Sequence, residues 1–324
     1  MEKTLVVVTC LRDCDQLYMM FKSIEKYLSP CKFVIVVNED DNGVVLWNEW
    51  YTTNKHHLSK HQVQVFTRKE VLPEQVVEWH TDNKNVVWAE DNGWLSQNIL
   101  KICIAEKITT KEYVLLDSKN FFIKPTKLTD IHRHQKQRVF TSFYNVDEYS
   151  YVWGKDWIIA VASKLGLPLT PTLNNNGEIE LRAPSTPYTI TTRYALELLD
   201  YFGGALNFNK WFLTTRFNME RCFWSTHRPQ DAGHPLVREF YLYDLFCNMK
   251  LGVDESGDVE YNSWVLWSKK TESQQITIHE IPDFVHVGGI HRNYIAESSE
   301  QEIKDVYEYF GLLDRGPAGK AAVC

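Results

Sequence analysis

Asp117 closes a run that begins "EYVLL" and continues through Ser118, Lys119 and Asn120. Apolar residues running straight into a carboxylate read as a strand buried on both faces, the pattern of a parallel sheet. A carboxylate at the carboxyl end of such a strand stands where open α/β sheets bind ligands. Lys119, two residues on, is a compact positive charge that can contact phosphate directly. The bland alternative is a surface Asp117–Lys119 pair of little energetic value. Upstream, "GWLSQNILKI" sets Gln97 and Lys101 four residues apart. That spacing puts them on one face of a helix leading into the Asp117 strand. An ordinary solvated helix face would look the same. In the second half, "HPLVREFYLYDLF" carries Glu239, Tyr243 and Asp244, with Glu239 and Tyr243 on a shared face. A carboxylate there could act as general base on a hydroxyl.

The elements that must position these residues alternate. "TLVVVTC" (4–10) is a strand and 15–28 an amphipathic helix with Asp15 as N-cap. Further strands are expected over 32–41, 61–72 and 113–117, with a strong helix over 93–108. Alternation of this kind implies a mostly parallel sheet with helices on its faces. Beyond it, the pattern predicts a strand at 138–144, helices at 156–168, 192–202, 234–250 and 300–312, and a possible hairpin turn at Asn176-Gly177. "YNSWVLWS" and "QQITIHEI" read as strands. The chain divides into a ligand-binding front half, 1–145, a back half closing the site, 146–314, and a small-residue tail, 315–324, expected to be disordered. Together they form one compact domain.

Composition narrows the function classes. The 324 residues are 44% hydrophobic and 24% charged, as in ordinary globular proteins. No apolar run approaches the roughly 20 residues that span a bilayer. The opening segment meets Arg12, Asp13 and Asp15 at once, which favours a first strand over a signal peptide and gives a cytoplasmic expectation. A net charge of −7 speaks against nucleic-acid binding. Seven scattered cysteines without paired spacing give neither a zinc nor a disulfide framework. The 11 Trp, 16 Tyr and 16 Phe fit either an aromatic core or a groove on which sugars or bases stack.

With these residues in view, the sequence resembles the GT-A fold glycosyltransferases, which move a sugar from a nucleotide-sugar donor on a Rossmann-like sheet. Their nucleotide half normally closes with Asp-x-Asp, two carboxylates on a Mn or Mg ion that neutralises the leaving phosphate. "LLDSKNFF" keeps the first aspartate, Asp117, and has Lys119 in place of the second. The resemblance implies that Asp117 contacts the donor ribose or sugar, while Lys119 does part of the metal's electrostatic work. "HVGGIHR" resembles the C-terminal His-x-x-Gly-x-x-Lys patch of glycogenin-like retaining enzymes. It implies His286, with Asp117, as metal ligand, and Gly289 and Arg292 against the diphosphate; His291 could replace His286. The Gly-Trp-x-x-Gln-x-x-x-Lys segment resembles an uncharacterised group of bacterial and phage glycosyltransferase-like proteins. There Gln97 would meet sugar hydroxyls and Lys101 phosphate.

By position in such folds, Thr9, Arg12 and Asp13 would lie at the base, and Asn38 with Glu39, Asp40 and Asp41 at the base or ribose. "STPYTI" (185–190) would form a loop beneath the donor sugar, with Thr186 and Tyr188 as its contacts. The implied activity is a hexosyltransferase-like enzyme using a UDP-sugar most readily, acting on a glycan or other hydroxyl acceptor. Glu239 as base points to inversion and the C-terminal patch to retention, so the stereochemistry stays open. Two alternatives remain. One is a catalytically impaired nucleotide-sugar or glycan-binding protein, favoured by the missing second aspartate. The other is a sugar nucleotidyltransferase, disfavoured because "VTCLRDCDQ" has no phosphate-cradling glycine.

Overall fold

The computed structural model describes residues 2–72, 92–140, 165–166, 178–182, 185–214, 239–267 and 280–313. Its centre is a five-stranded sheet. Strands β1 (Lys3–Thr9), β2 (Lys32–Val37), β3 (Gln62–Thr67) and β4 (Glu112–Asp117) are mutually parallel, and β8 (Tyr188–Thr191) closes one edge antiparallel to β4. The spatial order is β3-β2-β1-β4-β8. Strand direction of growth therefore reverses between β1 and β4, which makes that gap the switch point of the sheet.

Alternation along the strands builds a core on each face. Val6, Val8, Val34, Val36 and Leu115 point to one side, against α3 (Asn92–Cys103), α4 (Thr192–Tyr201), α5 (Ala205–Thr214) and α6 (Glu239–Leu245). Leu5, Val7, Phe33, Ile35 and Leu116 point to the other, against α1 (Cys14–Tyr27) and α2 (Asp41–Asn54). In α1 the buried Leu17, Met20, Phe21 and Ile24 follow helical spacing, so one stripe meets the sheet.

A second sheet rises from the end of the first. After β4 the chain makes a two-residue turn at Ser118 and Lys119 and enters β5 (Asn120–Phe122). Strand β10 (Val287–Ile290) pairs antiparallel with β5 and parallel with β9 (Ser263–Leu266). Helices α7 (Arg292–Glu297) and α8 (Glu300–Tyr309) back this small sheet through Trp264, Tyr294, Tyr307 and Phe310. A two-stranded ribbon of β6 (Lys136–Phe140) and β7 (Glu178–Arg182) lies apart from both. It is tied to α6 by a buried Arg182–Asp244 pair, with Arg182 Nε 2.8 Å from Asp244 Oδ1, and to β8 of the large sheet by Arg182 Nη1, which donates to the Thr189 carbonyl at 3.1 Å.

Three departures from the expected elements have local causes. The acidic run expected as part of a strand end opens α2: Asp40 Oδ1 accepts the Gly43 N–H at 2.9 Å as an N-cap, and Asp41 pairs with Lys69. "STPYTI", expected as a loop, contributes β8. The helix expected over 93–108 ends at Cys103 and finishes in a 3₁₀ turn, Ile104–Lys107. The Asn176-Gly177 turn, most of the 156–168 helix, the N-terminal part of the 234–250 helix, most of "QQITIHEI" and the 315–324 tail lie outside the described residues. No helix among the described residues is long and apolar enough to cross a membrane.

Candidate functional site

Above the switch point lies a cleft of about 600 Å³. Its floor is the β1 and β4 ends, and the small sheet is one wall. Arg12, Gln97, Lys101, Asp117, Lys119, Glu239 and Arg292, seven of the expected site residues, line it together. A second lobe of about 470 Å³ opens over the β1 and β2 ends, lined by Thr9, Asn38 and Glu39 and sharing Arg12, Asp13 and Gln97 with the first. Ser118 Oγ, in the turn after β4, lies 3.1 Å from Thr9 Oγ1 and 3.3 Å from Asp13 Oδ2, stitching the two strand ends.

Asp117 is held from three sides. Lys101 Nζ stands 3.1 Å from Oδ1, Lys119 donates to Oδ2, and Thr186 Oγ1 lies 3.2 Å from Oδ2. Its own backbone N–H donates to Asn120 Oδ1 at 2.9 Å, which fixes the turn. Burial alone would raise the Asp117 pKa, but the two ammonium groups outweigh it and hold the carboxyl well below the usual range. Lys101 also reaches Glu239 Oε1 at 3.0 Å, and the Asn98 amide, with its NH₂ toward Glu239, donates at 3.0 and 3.2 Å. One buried ammonium thus joins two carboxylates from distant parts of the chain. Burial would lower its pKa, yet Asp117 and Glu239 hold it above the ordinary value of 10.5.

The wall carries further polar groups. Arg292 pairs with Asp13, and Gln16 Nε2 donates to the Ile290 carbonyl at 2.9 Å, so the C-terminal segment is drawn to the β1 end. His291 Nδ1 accepts the Asn293 N–H at 3.2 Å as the cap of α7, which leaves the ring proton on Nε2. Burial and the Lys119 charge lower its pKa, so the imidazole is neutral at pH 7. The Trp267 ring, 47% exposed, has Lys119 Nζ 5.4 Å from its centroid and the His291 ring 4.8 Å away. Four cationic side chains (Arg12, Lys101, Lys119 and Arg292) line the cleft against three carboxylates (Asp13, Asp117 and Glu239). The cleft is therefore cationic in a chain of net charge −7.

Other expected residues are placed elsewhere. His286 is not in the cleft lining; its Nδ1 lies 2.9 Å from Thr126 Oγ1, and burial with the Lys124 charge lowers its pKa. Gly289 also stays out of the lining. Its task is packing: a Cβ there would stand 3.0 Å from Asn120 Nδ2 and 3.2 Å from the Lys119 carbonyl oxygen. Tyr188 stacks on Phe240 with ring centroids 4.0 Å apart and bonds Asp244, while Tyr243 bonds Glu255 at 2.9 Å. Both belong to the buried network beneath the cleft. Trp267, Asn98, Gln16 and Ser118 were not singled out by the sequence. No local pattern marks them: Trp267 lies just beyond β9, and it lines the cleft together with Trp264 of that strand. Cys10 and Cys14, pushed by burial to about 11 and 12, are protonated thiols at neutral pH.

The donor set at Asp117 does not fit a divalent cation. Both oxygens already face an ammonium group. Among the described residues no three His, Cys, Asp or Glu side chains converge as metal ligands. An ion bonded to either oxygen at about 2.1 Å would stand roughly 4 Å from an ammonium nitrogen. Unit charges at that distance repel by about 4 kcal/mol at an effective dielectric near 20, and a divalent ion by about twice that.

The protein is thus an α/β protein with a cationic cleft at the switch point of a mostly parallel sheet. The chain belongs to a family of unknown function, DUF6492, whose sequence model matches residues 4–225. No curated protein matches it. Among solved structures, the glycosyltransferase GlyE of Streptococcus pneumoniae TIGR4 aligns over 97% of this chain and 61% of its own, at 10% identity and a TM-score of 0.41. Mouse xyloside xylosyltransferase 1 aligns over 89% and 96%, at 7% identity and a TM-score of 0.37. The mannosyltransferase Ktr4p of S. cerevisiae aligns over 65% and 62%, at 9% identity and a TM-score of 0.33. The chain therefore spans less than two thirds of the GlyE and Ktr4p chains, and TM-scores this low establish no shared activity.

Proposed function

We propose that the protein is a glycosyltransferase that takes a sugar from a nucleotide-sugar donor, a UDP-sugar most readily, and passes it to a hydroxyl of a glycan or similar acceptor. The observation that carries this reading is the cationic cleft at the switch point between β1 and β4, where open α/β sheets take their ligands. In this reading the nucleoside occupies the lobe over Thr9, Arg12 and Asn38. The diphosphate lies toward Lys119 and Arg292. Gln97 and Asp117 meet ribose or sugar hydroxyls. The front half, 1–145, holds the donor, and the back half, 146–314, brings Glu239 and the aromatic wall to the acceptor side.

Transfer breaks the bond between the anomeric carbon and the phosphate oxygen, and the electron pair leaves with the phosphate. The acceptor oxygen forms the new bond and gives its proton to a base, for which Glu239 is the candidate. Cationic side chains aimed at the leaving oxygen stabilise the charge it gains. The test is incubation with a panel of UDP-, GDP- and CDP-sugars and mixed oligosaccharide acceptors, reading nucleotide release. The expected result is release with one donor, falling about 100-fold or more in Asp117→Asn, whose circular dichroism stays that of the parent. Nucleotide binding without release in any pairing would favour a binding protein. Equal turnover in Asp117→Asn would remove Asp117 from the site.

A further inference from the structure

We propose that this cleft holds the diphosphate of its ligand without a divalent cation, on a cradle made by Lys119, Arg292 and the Nε2–H of His291. The proposal rests on the nucleotide-sugar reading above and goes beyond it in naming what neutralises the diphosphate.

Asp117 is already engaged by two ammonium groups. Lys101 faces one of its oxygens and Lys119 the other, so a cation at either oxygen would stand beside an ammonium group. Lys101 is buried and also committed to Glu239, which fixes it as part of the floor. Lys119 differs. Its ammonium sits at the junction of floor and wall, against the Trp267 face, where a ligand in the cleft can reach it. The single Lys101 charge is shared between Asp117 and Glu239, so Lys119 is drawn to Asp117 as well, and a diphosphate in the cleft competes with that carboxylate for the Lys119 donors.

The wall completes the set. Arg292 is half-exposed, lines the cleft and bonds Asp13 through one nitrogen, so that pair does not use its other donors. The Nδ1 of His291 is used by the Asn293 N–H, so the ring presents a donor, and a neutral Nε2–H can bond a phosphate oxygen. Two cations and a neutral donor around one diphosphate supply the charge and directionality that a metal ion would otherwise bring. All three are anchored by the second sheet: Lys119 leads into β5, while His291 and Arg292 follow β10, β5's partner.

The experiment is titration calorimetry of the purified chain with UDP, GDP and CDP, each in EDTA and again in MnCl₂. The expected result is binding of at least one nucleotide with affinities in the two buffers within about twofold. Lys119→Met should lose about 10- to 100-fold in EDTA, the range for one charged hydrogen bond. Lys119→Asp, which sets a second carboxylate beside Asp117, should lose affinity in EDTA and regain it in MnCl₂. Parent binding that needs MnCl₂ would overturn the cation-free cradle while leaving the nucleotide-sugar reading standing. Binding of no nucleotide in either buffer would overturn both. Unchanged EDTA affinity in Lys119→Met, with a parent-like circular dichroism spectrum, would remove Lys119 from the cradle.

Discussion

Replacing Lys101 with methionine isolates the ammonium that joins Asp117 and Glu239. The side chain keeps an unbranched apolar stem, one atom shorter, and loses its charge and donors. Lys101 is buried, Glu239 is buried and Asp117 is about three-quarters so, with ion-pair distances of 3.1 and 3.0 Å. Removing one partner from a buried pair costs about 3–5 kcal/mol, because the remaining charges lose their compensation. Lys101→Met should therefore lose about that much stability at pH 7 in urea denaturation followed by tryptophan fluorescence.

The pH dependence follows from the direction of each shift. The Asp117 pKa is depressed in the folded state, so its contribution is present above its ordinary value of 3.8 and is lost as pH falls through the lower folded value. The Lys101 pKa is raised, so its contribution is full below 10.5 and is lost only as pH rises through the higher folded value. The gap between parent and variant should be flat from about pH 5 to 9 and narrow below about pH 4. Adding Glu239→Gln to Lys101→Met should restore part of the loss, since Lys119 still pairs with Asp117 and Glu239 is the carboxylate left without its cation. A loss under about 1 kcal/mol at pH 7, or a gap that does not narrow in acid, would refute the account of Lys101 as the charge holding both carboxylates.

Arg292→Ala should weaken nucleoside diphosphate binding by about 1.5–3 kcal/mol, the worth of a charged hydrogen bond, with little change in melting temperature; calorimetry and thermal shift check the two halves. Gly289→Ala should destabilise the fold by about 1–3 kcal/mol, because the new methyl would crowd the Asn120 amide and the Lys119 carbonyl oxygen, 3.0 and 3.2 Å away. Urea denaturation measures it, and a neutral effect would show that β5 and β10 can part without cost.

How far the sequence reached depended on the range of each interaction. β1, β2 and β4 were legible because a strand covered on both faces needs an unbroken apolar run, and α1 because one stripe must face the sheet. α2 was not legible: Asp40 to Gly43 has turn composition, and its capping role appears only once Asp40 is seen to accept the Gly43 N–H. At the site, Asp117, Lys101 and Glu239 were each found from residue type and place on an element. Their joining through one ammonium was not, since no local pattern records a contact between residues 138 apart. The C-terminal patch shows the same limit. Spacing favoured His286, but it precedes β10 and turns to Thr126, whereas His291 follows the strand and faces the cleft.

The turn at Ser118 and Lys119 makes floor and wall one continuous piece of chain, and this bears on where the protein can be cut. The family match ends at residue 225, but both β9 and β10 lie beyond it. A chain stopped there would keep β5 and lose the strand that covers it. Phe122 would still pack against the large sheet's core. Phe121 would lose the Tyr307 and Phe310 rings, whose centroids stand 5.3 and 5.7 Å from its own. The result is a bare strand edge with an unshielded phenylalanine beside it, the kind of surface on which chains pair with one another. A fragment bounded by the family match would thus self-associate through β5, so solubility itself reports whether the wall has been built.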